Sequence, residues 1–210
     1  MKKLVMTVAV LACAASIVSA QTVTSANMVG YAKVQAVGGE LTLVALNFET
    51  GGLTVDEILG SQLPDLSVVN LWDKSTGAYV TCTKGRAGFN PNPVVELGDA
   101  FWIKAAGTGT NEIILSGEVL QSDTNSVVVD AGLDASGYYY PVDTLWEDTD
   151  LATQAPDLSV LNVWNGTGYD TYTKGRAGWG AAGVTISVKD GFWLKVPSTF
   201  TWNEERPFTP

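Results

Sequence analysis

Pro64-Asp65-Leu66-Ser67-Val68-Val69-Asn70-Leu71-Trp72 recurs as Pro156-Asp157-Leu158-Ser159-Val160-Leu161-Asn162-Val163-Trp164, and this pair of segments decides the fold. Downstream, Thr76-Gly77 returns as Thr167-Gly168 and Tyr79 as Tyr169, while Lys84-Gly85-Arg86-Ala87-Gly88 reappears unchanged at 174–178. Asp99, Phe101, Trp102 and Lys104 return as Asp190, Phe192, Trp193 and Lys195. Between Pro64 and Lys104, 21 of 41 positions are identical in the second copy, so the chain reads as a tandem repeat. Length differences fall only in turns, as strand pairing demands, because a one-residue slip inside a strand would turn every side chain to the wrong face.

Within each copy, residues 67–72 and 159–164 are Val-rich, nearly continuous apolar runs, the pattern of a strand covered on both faces. Asn165-Gly166 signals a hairpin, with 73–77 as its longer counterpart, and 79–83 and 169–173 read as the returning strands. Residues 100–105, 113–120 and 192–196 add further short strands. Upstream, 41–48 and 138–142 read as apolar strands, each followed by a Thr-x-x-Glu box (54–57 and 144–147) that starts a short helix. The expected fold is therefore all-β: two tandem, similar β-sandwich or small-barrel lobes, each with one short helix. The expected organisation is a signal peptide over 1–20, a first lobe over 21–122 and a second over 123–210.

The leader reading rests on Lys2 and Lys3, the apolar run behind them and the small residues Val18-Ser19-Ala20, which place cleavage before Gln21. An alternative makes Cys13 a lipidated cysteine. No later stretch has eighteen consecutive apolar residues, so no membrane-spanning helix is expected. Twelve basic residues less Lys2 and Lys3, against 22 acidic ones, leave a net charge of about −12 and no histidine. Such a chain repels nucleic acid, and its expected place is outside the cell or in the cell envelope.

The set Gly30-Tyr31, 164–169 (Trp-Asn-Gly-Thr-Gly-Tyr), Ala177-Gly178-Trp179 and 190–195 (Asp-Gly-Phe-Trp-Leu-Lys) resembles a group of secreted β-rich proteins of the Verrucomicrobia and Planctomycetes lineage. The resemblance implies export and a β fold, and brings no catalytic residues.

The chemistry is narrowed by what the chain lacks. Without histidine there is no Ser-His-Asp or Cys-His catalysis and no His-held zinc or haem. Cys82 is the only cysteine after the leader, and its counterpart in the second copy is Tyr172, so it reads as a packing residue. The Lys-Gly-Arg-Ala-Gly segments read as tight turns built on Gly85, Gly88, Gly175 and Gly178, with Arg86 and Arg176 pairing with Asp65 and Asp157; the alternative is a duplicated anion-binding loop. The acidic stretch Asp143, Glu147, Asp148 and Asp150 lacks the spacing of a calcium loop. No cofactor and no metal are expected.

The aromatics carry the remaining signal. Trp72, Trp102, Trp164 and Trp193, with Tyr79 and Tyr169, are duplicated positions that read either as core or as a flat platform for sugar rings. The leading expectation is a secreted, non-catalytic structural or cell-surface protein for adhesion or envelope assembly, partnered by itself or by extracellular glycans. The alternatives are a carbohydrate-binding module using those six residues and, last, a carboxylate-dependent glycoside hydrolase.

Overall fold

The computed structural model describes residues 28–180 and 182–209. The expected signal peptide, the cleavage before Gln21 and Cys13 lie outside the described residues. In chain order the first lobe comprises β1 (Val29–Val37), β2 (Leu41–Ala45), α1 (Val55–Leu59), β3 (Val68–Asp73), β4 (Ala78–Gly85), β5 (Gly88–Asn90), β6 (Ala100–Lys104) and β7 (Thr110–Glu118). The second comprises β8 (Thr124–Val129), β9 (Gly132–Gly137), β10 (Thr144–Leu145), a 3-10 turn (Trp146–Asp148), α2 (Asp150–Gln154), β11 (Val160–Trp164) and β12 (Tyr169–Gly175). It ends with β13 (Gly178–Trp179), β14 (Thr185–Ile186), β15 (Gly191–Val196) and β16 (Phe200–Glu205). The protein is all-β and antiparallel, in two lobes with two short helices, and the expected lobe boundary at 122/123 falls between β7 and β8.

The five-stranded sheets have the same order, β2-β6-β3-β4-β5 and β9-β15-β11-β12-β13, and each lobe adds a two-stranded ribbon, β1 with β7 or β8 with β16. In the first lobe the inner sheet face (Val69, Cys82, Phe101, Ile103) packs against Val34 and Ile113 of the ribbon and against α1. In the second, Leu161, Phe192 and Leu194 pack against Trp202 of the ribbon and Leu151 of α2. β3 and β11 lie at the centres of their sheets, which is why their sequences are apolar on both faces.

Helix α1 starts as its sequence box requires: the Thr54 hydroxyl accepts the Glu57 N–H at 3.4 Å, and Glu57 Oε2 accepts the Thr54 N–H at 2.9 Å. The second box does not start a helix. Thr144 and Leu145 are drawn into β10, pairing with Ile186 and Thr185, so α2 begins later and is capped by Thr149, whose hydroxyl accepts the Ala152 N–H at 3.0 Å. Residues 138–142 are not a strand either. β9 lies just upstream, where Gly132–Gly137 takes its extended form from pairing along β15 rather than from its own weak β propensity.

The turns follow side-chain chemistry. Asn165 Oδ1 accepts the N–H groups of Thr167 and Gly168, and Asp73 Oδ1 those of Ser75 and Thr76, so both hairpins close on an Asx turn. Of the four repeat glycines, only Gly88 and Gly178 hold positive φ, at 102° and 95°. Asp65 pairs with Lys84 at 3.2 Å rather than with Arg86, which lies in the turn between β4 and β5, and among the described residues Arg176 and Asp157 form no ion pair. Cys82 is fully buried, and burial pushes its thiol up to about 11, which removes it from thiolate chemistry at neutral pH.

Candidate functional site

Strand register places the duplicated aromatics. Trp72 lies directly across from Tyr79, and Trp164 from Tyr169, as cross-strand pairs flanking the hairpin turns. Two residues back, Asn70 lies between Thr81 on one side and Trp102 on the other, and Asn162 lies between Thr171 and Trp193. With a period of two, these residues share one sheet face, opposite the face that packs the lobe's own core. Trp72 and Trp164 therefore do not belong to their own lobe's core, one of the two readings the sequence left open, and Trp102 faces a second sheet, that of the other lobe.

The outer faces of the two sheets meet at a seam. Trp193 of the second lobe packs edge-on against Trp72 of the first, centroids 5.2 Å apart, and Trp102 of the first packs against Trp164 of the second at 5.0 Å. Tyr79 joins the first cluster at 5.3 Å from Trp72, and Tyr169 the second at 5.2 Å from Trp164. Each lobe thus has its central tryptophan capped by the strand-end tryptophan of the other, in a two-fold-like exchange. Trp102 and Trp193 are buried, at 6% and 5% exposed, with Leu43, Ala45 and Ala100 around them. Trp72 and Trp164 are half-buried, and Tyr79 and Tyr169 are 46% and 43% exposed. All six residues singled out from the sequence come together.

Backbone bonds repeat the exchange. The Ala45 N–H donates to the Lys189 carbonyl and the Gly137 N–H to the Gly98 carbonyl, both at 2.8 Å. Buried Asn47 adds a polar staple, its amide donating to the Tyr138 carbonyl while its Oδ1 accepts the Lys189 N–H at 2.6 Å. Gly98 has no room for a Cβ, because the Tyr139 ring occupies that space; its left-handed φ of 88° is shared by its counterpart Lys189, at 77°. The indole N–H of Trp72 donates to the Leu133 carbonyl at 3.0 Å, and the Lys74 ammonium reaches Asp134 at 3.1 Å, both across the seam.

Two concavities open on this seam. One, of about 300 Å³, is lined by Trp72, Trp193, Leu133 and Asn162; the other, of about 370 Å³, by Trp164, Trp102, Leu41 and Asn70. Tyr79 and Tyr169 line both. No protein-family model matches this chain, and no curated protein or solved structure matches it either. What the site can do must be read from its own atoms.

Those atoms are apolar faces with a few directed polar groups. Asn70 Oδ1 accepts the Thr81 hydroxyl, and Asn162 Oδ1 the Thr171 hydroxyl, both at 2.7 Å. This fixes each amide and leaves its Nδ2 hydrogens without a protein acceptor among the described residues. The buried indole N–H of Trp193 has no acceptor in hydrogen-bonding geometry. It approaches the Tyr169 hydroxyl closely enough to oppose the rise in pKa that burial gives that group. The asparagines were missed as site residues, although Asn70 and Asn162 are duplicated in step with the tryptophans.

Three of the four acidic residues of the second lobe's stretch are engaged by backbone N–H groups. Asp143 accepts the Val188 N–H, Glu147 that of Gly183 and Asp150 that of Glu205. Among the described residues no three His, Cys, Asp or Glu side chains converge on a point where a metal ion could sit, and no helix is long and apolar enough to cross a membrane.

One carboxyl near the seam is perturbed. Burial lifts Asp99 to about 6, with the charges of Glu96 and Asp134 adding to the rise and the Glu96 N–H, donated at 2.8 Å, opposing it. A carboxyl raised on folding contributes stability that is fully present below its unfolded value and is lost as pH climbs through the folded one. Asp99→Asn, which keeps an acceptor for that N–H, should match the wild type near pH 3.5. Above pH 6 it should exceed the wild type by roughly 1–3 kcal/mol. Urea denaturation of both proteins between pH 3.5 and 7.5 checks this, and a constant difference at every pH would refute it.

Proposed function

We propose that this chain is an exported, non-catalytic cell-surface protein of the adhesive kind, and that its contact surface is the aromatic seam, with carbohydrate as the ligand. The observation that carries the reading is the convergence of six duplicated aromatic residues and two oriented asparagine amides on two adjoining concavities. A pyranose ring has C–H faces that lie against aromatic rings and an equatorial rim of hydroxyls that need donors and acceptors. The seam offers both in the proportion small-molecule sites use, apolar walls with few polar groups. The leader sequence and the resemblance to secreted β-rich proteins support export.

A structural role in envelope assembly is the second reading. It is favoured by the burial of Trp102 and Trp193, which lets the seam serve as glue between lobes with no ligand at all. Retardation of the exported protein in gels containing neutral polysaccharides separates the two. Tyr79→Ala and Tyr169→Ala remove exposed rings that carry little of the packing, so melting should change slightly while retention falls roughly tenfold or more for each. Absence of retention on every polysaccharide, or retention indifferent to both substitutions, favours the structural reading.

A further inference from the structure

The two concavities are not independent. Tyr79 and Tyr169 belong to both, so the two adjoin, and a ligand in one touches rings that also line the other. At about 300 and 370 Å³ each lies near the lower limit of ligand sites, roughly 300–1,000 Å³, whereas the joined space sits well within that range. Their linings contain no charged side chain, only Trp, Tyr, Leu, Asn and Thr. The surrounding protein carries a net charge of −10. Within each cluster the rings meet edge to face at 5.0–6.4 Å between centroids, already in contact. They leave no gap in which a quaternary ammonium could be caged, so a ligand lies across them rather than between them.

We infer that the seam is a single site for one neutral oligosaccharide chain laid across the pseudo-two-fold axis, with one sugar subsite on Asn162 and Trp72 and a matching one on Asn70 and Trp164. This rests on the carbohydrate reading above and adds the ligand's charge, its minimum length and its stoichiometry. A linear chain has nearly the same groups on either side of a glycosidic bond, which suits two subsites built from repeated residues. An acidic polysaccharide would meet a repelling protein and find no cation in the site to offset that. The Asn70 and Asn162 amides, held by Thr81 and Thr171 through their oxygens, turn their N–H groups toward a ligand's hydroxyls, one in each subsite.

Calorimetric titration of the exported protein with neutral gluco-, manno- and xylo-oligosaccharides of one to six units, and with uronic-acid oligosaccharides of the same lengths, tests this. The expected result is one ligand per chain, and an affinity that rises by about tenfold or more once the ligand can fill both subsites and then levels off. The uronic-acid series should bind worse at every length. Asn70→Ala and Asn162→Ala should each weaken the longer ligands on the order of three- to tenfold without changing stoichiometry. Two equivalent ligands per chain, affinity independent of length, or preference for the acidic series would overturn the inference while leaving carbohydrate binding standing. Failure of every oligosaccharide to bind would overturn the carbohydrate reading itself.

Discussion

Replacing Glu204 by leucine should destabilise the protein by about 3–5 kcal/mol. Glu204 is buried at 2% exposure in β16, and its carboxylate accepts four donors: the Tyr138 hydroxyl at 2.7 Å, the Trp202 indole at 2.6 Å, and the Asp150 and Leu151 N–H groups at 3.3 and 3.1 Å. The last two are free amides in the first turn of α2, so the side chain from the ribbon caps the helix that packs on it. The first lobe shows why the substitution is informative. There Gln62 brackets Ile114 through both of its backbone groups, as Gln154 brackets Asn203, which aligns Glu204 with Leu115. Leu115 is fully buried among apolar neighbours. Leucine is thus the residue the fold already uses at this position, yet in the second lobe it would strand four donors at about 1–3 kcal/mol each before relaxation. Glu204→Gln, which keeps one acceptor and turns an amide toward donors, should fall between. Urea unfolding checks both variants; a Glu204→Leu protein as stable as the wild type would show that the carboxylate is not what holds α2.

The seam tryptophans should separate by burial. Trp102→Ala and Trp193→Ala each empty a ring-sized space between the lobes and should cost about 3–5 kcal/mol. Trp72→Ala and Trp164→Ala remove half-buried caps and should cost less, roughly 1–3 kcal/mol. Thermal and urea denaturation of the four variants gives the order. Equal losses at all four, or larger ones at Trp72 and Trp164, would mean that the rings belong to each lobe's own core.

Much of this was legible beforehand because it depends on local pattern. Identical segments from Pro64 and Pro156 announced similar strands, the capping box at Thr54 announced a helix, and the Asn165 and Asp73 turns announced hairpins. What stayed hidden depends on partners distant in the chain. β1 pairs with β7 across the whole first lobe, and nothing in 29–37 names its partner. Thr144 has the residues of a cap but is claimed by a strand from 185–186. Trp72 stayed open between core and platform because a sequence shows which face a residue shares, not which lobe that face meets. The site itself was half visible: the six aromatics were chosen for their duplication, while Asn70 and Asn162, equally duplicated, gain meaning only when register sets each beside a threonine and a tryptophan. Buried Glu204 gave no signal, since a charged residue in an alternating strand reads as solvent-facing until its donors are seen.

The claim that the seam binds carbohydrate is tested most directly at its indole N–H groups. The chain has seven tryptophans, and two of them, Trp193 at the seam and Trp146 in the second lobe's core, have buried indole N–H groups with no acceptor. With ¹⁵N-labelled tryptophan, saturating the protein with a neutral tetrasaccharide that it retains should shift the indole resonances of Trp193 and Trp72 and leave that of Trp146 in place. A bound glycan that leaves both seam resonances unmoved would contradict the account.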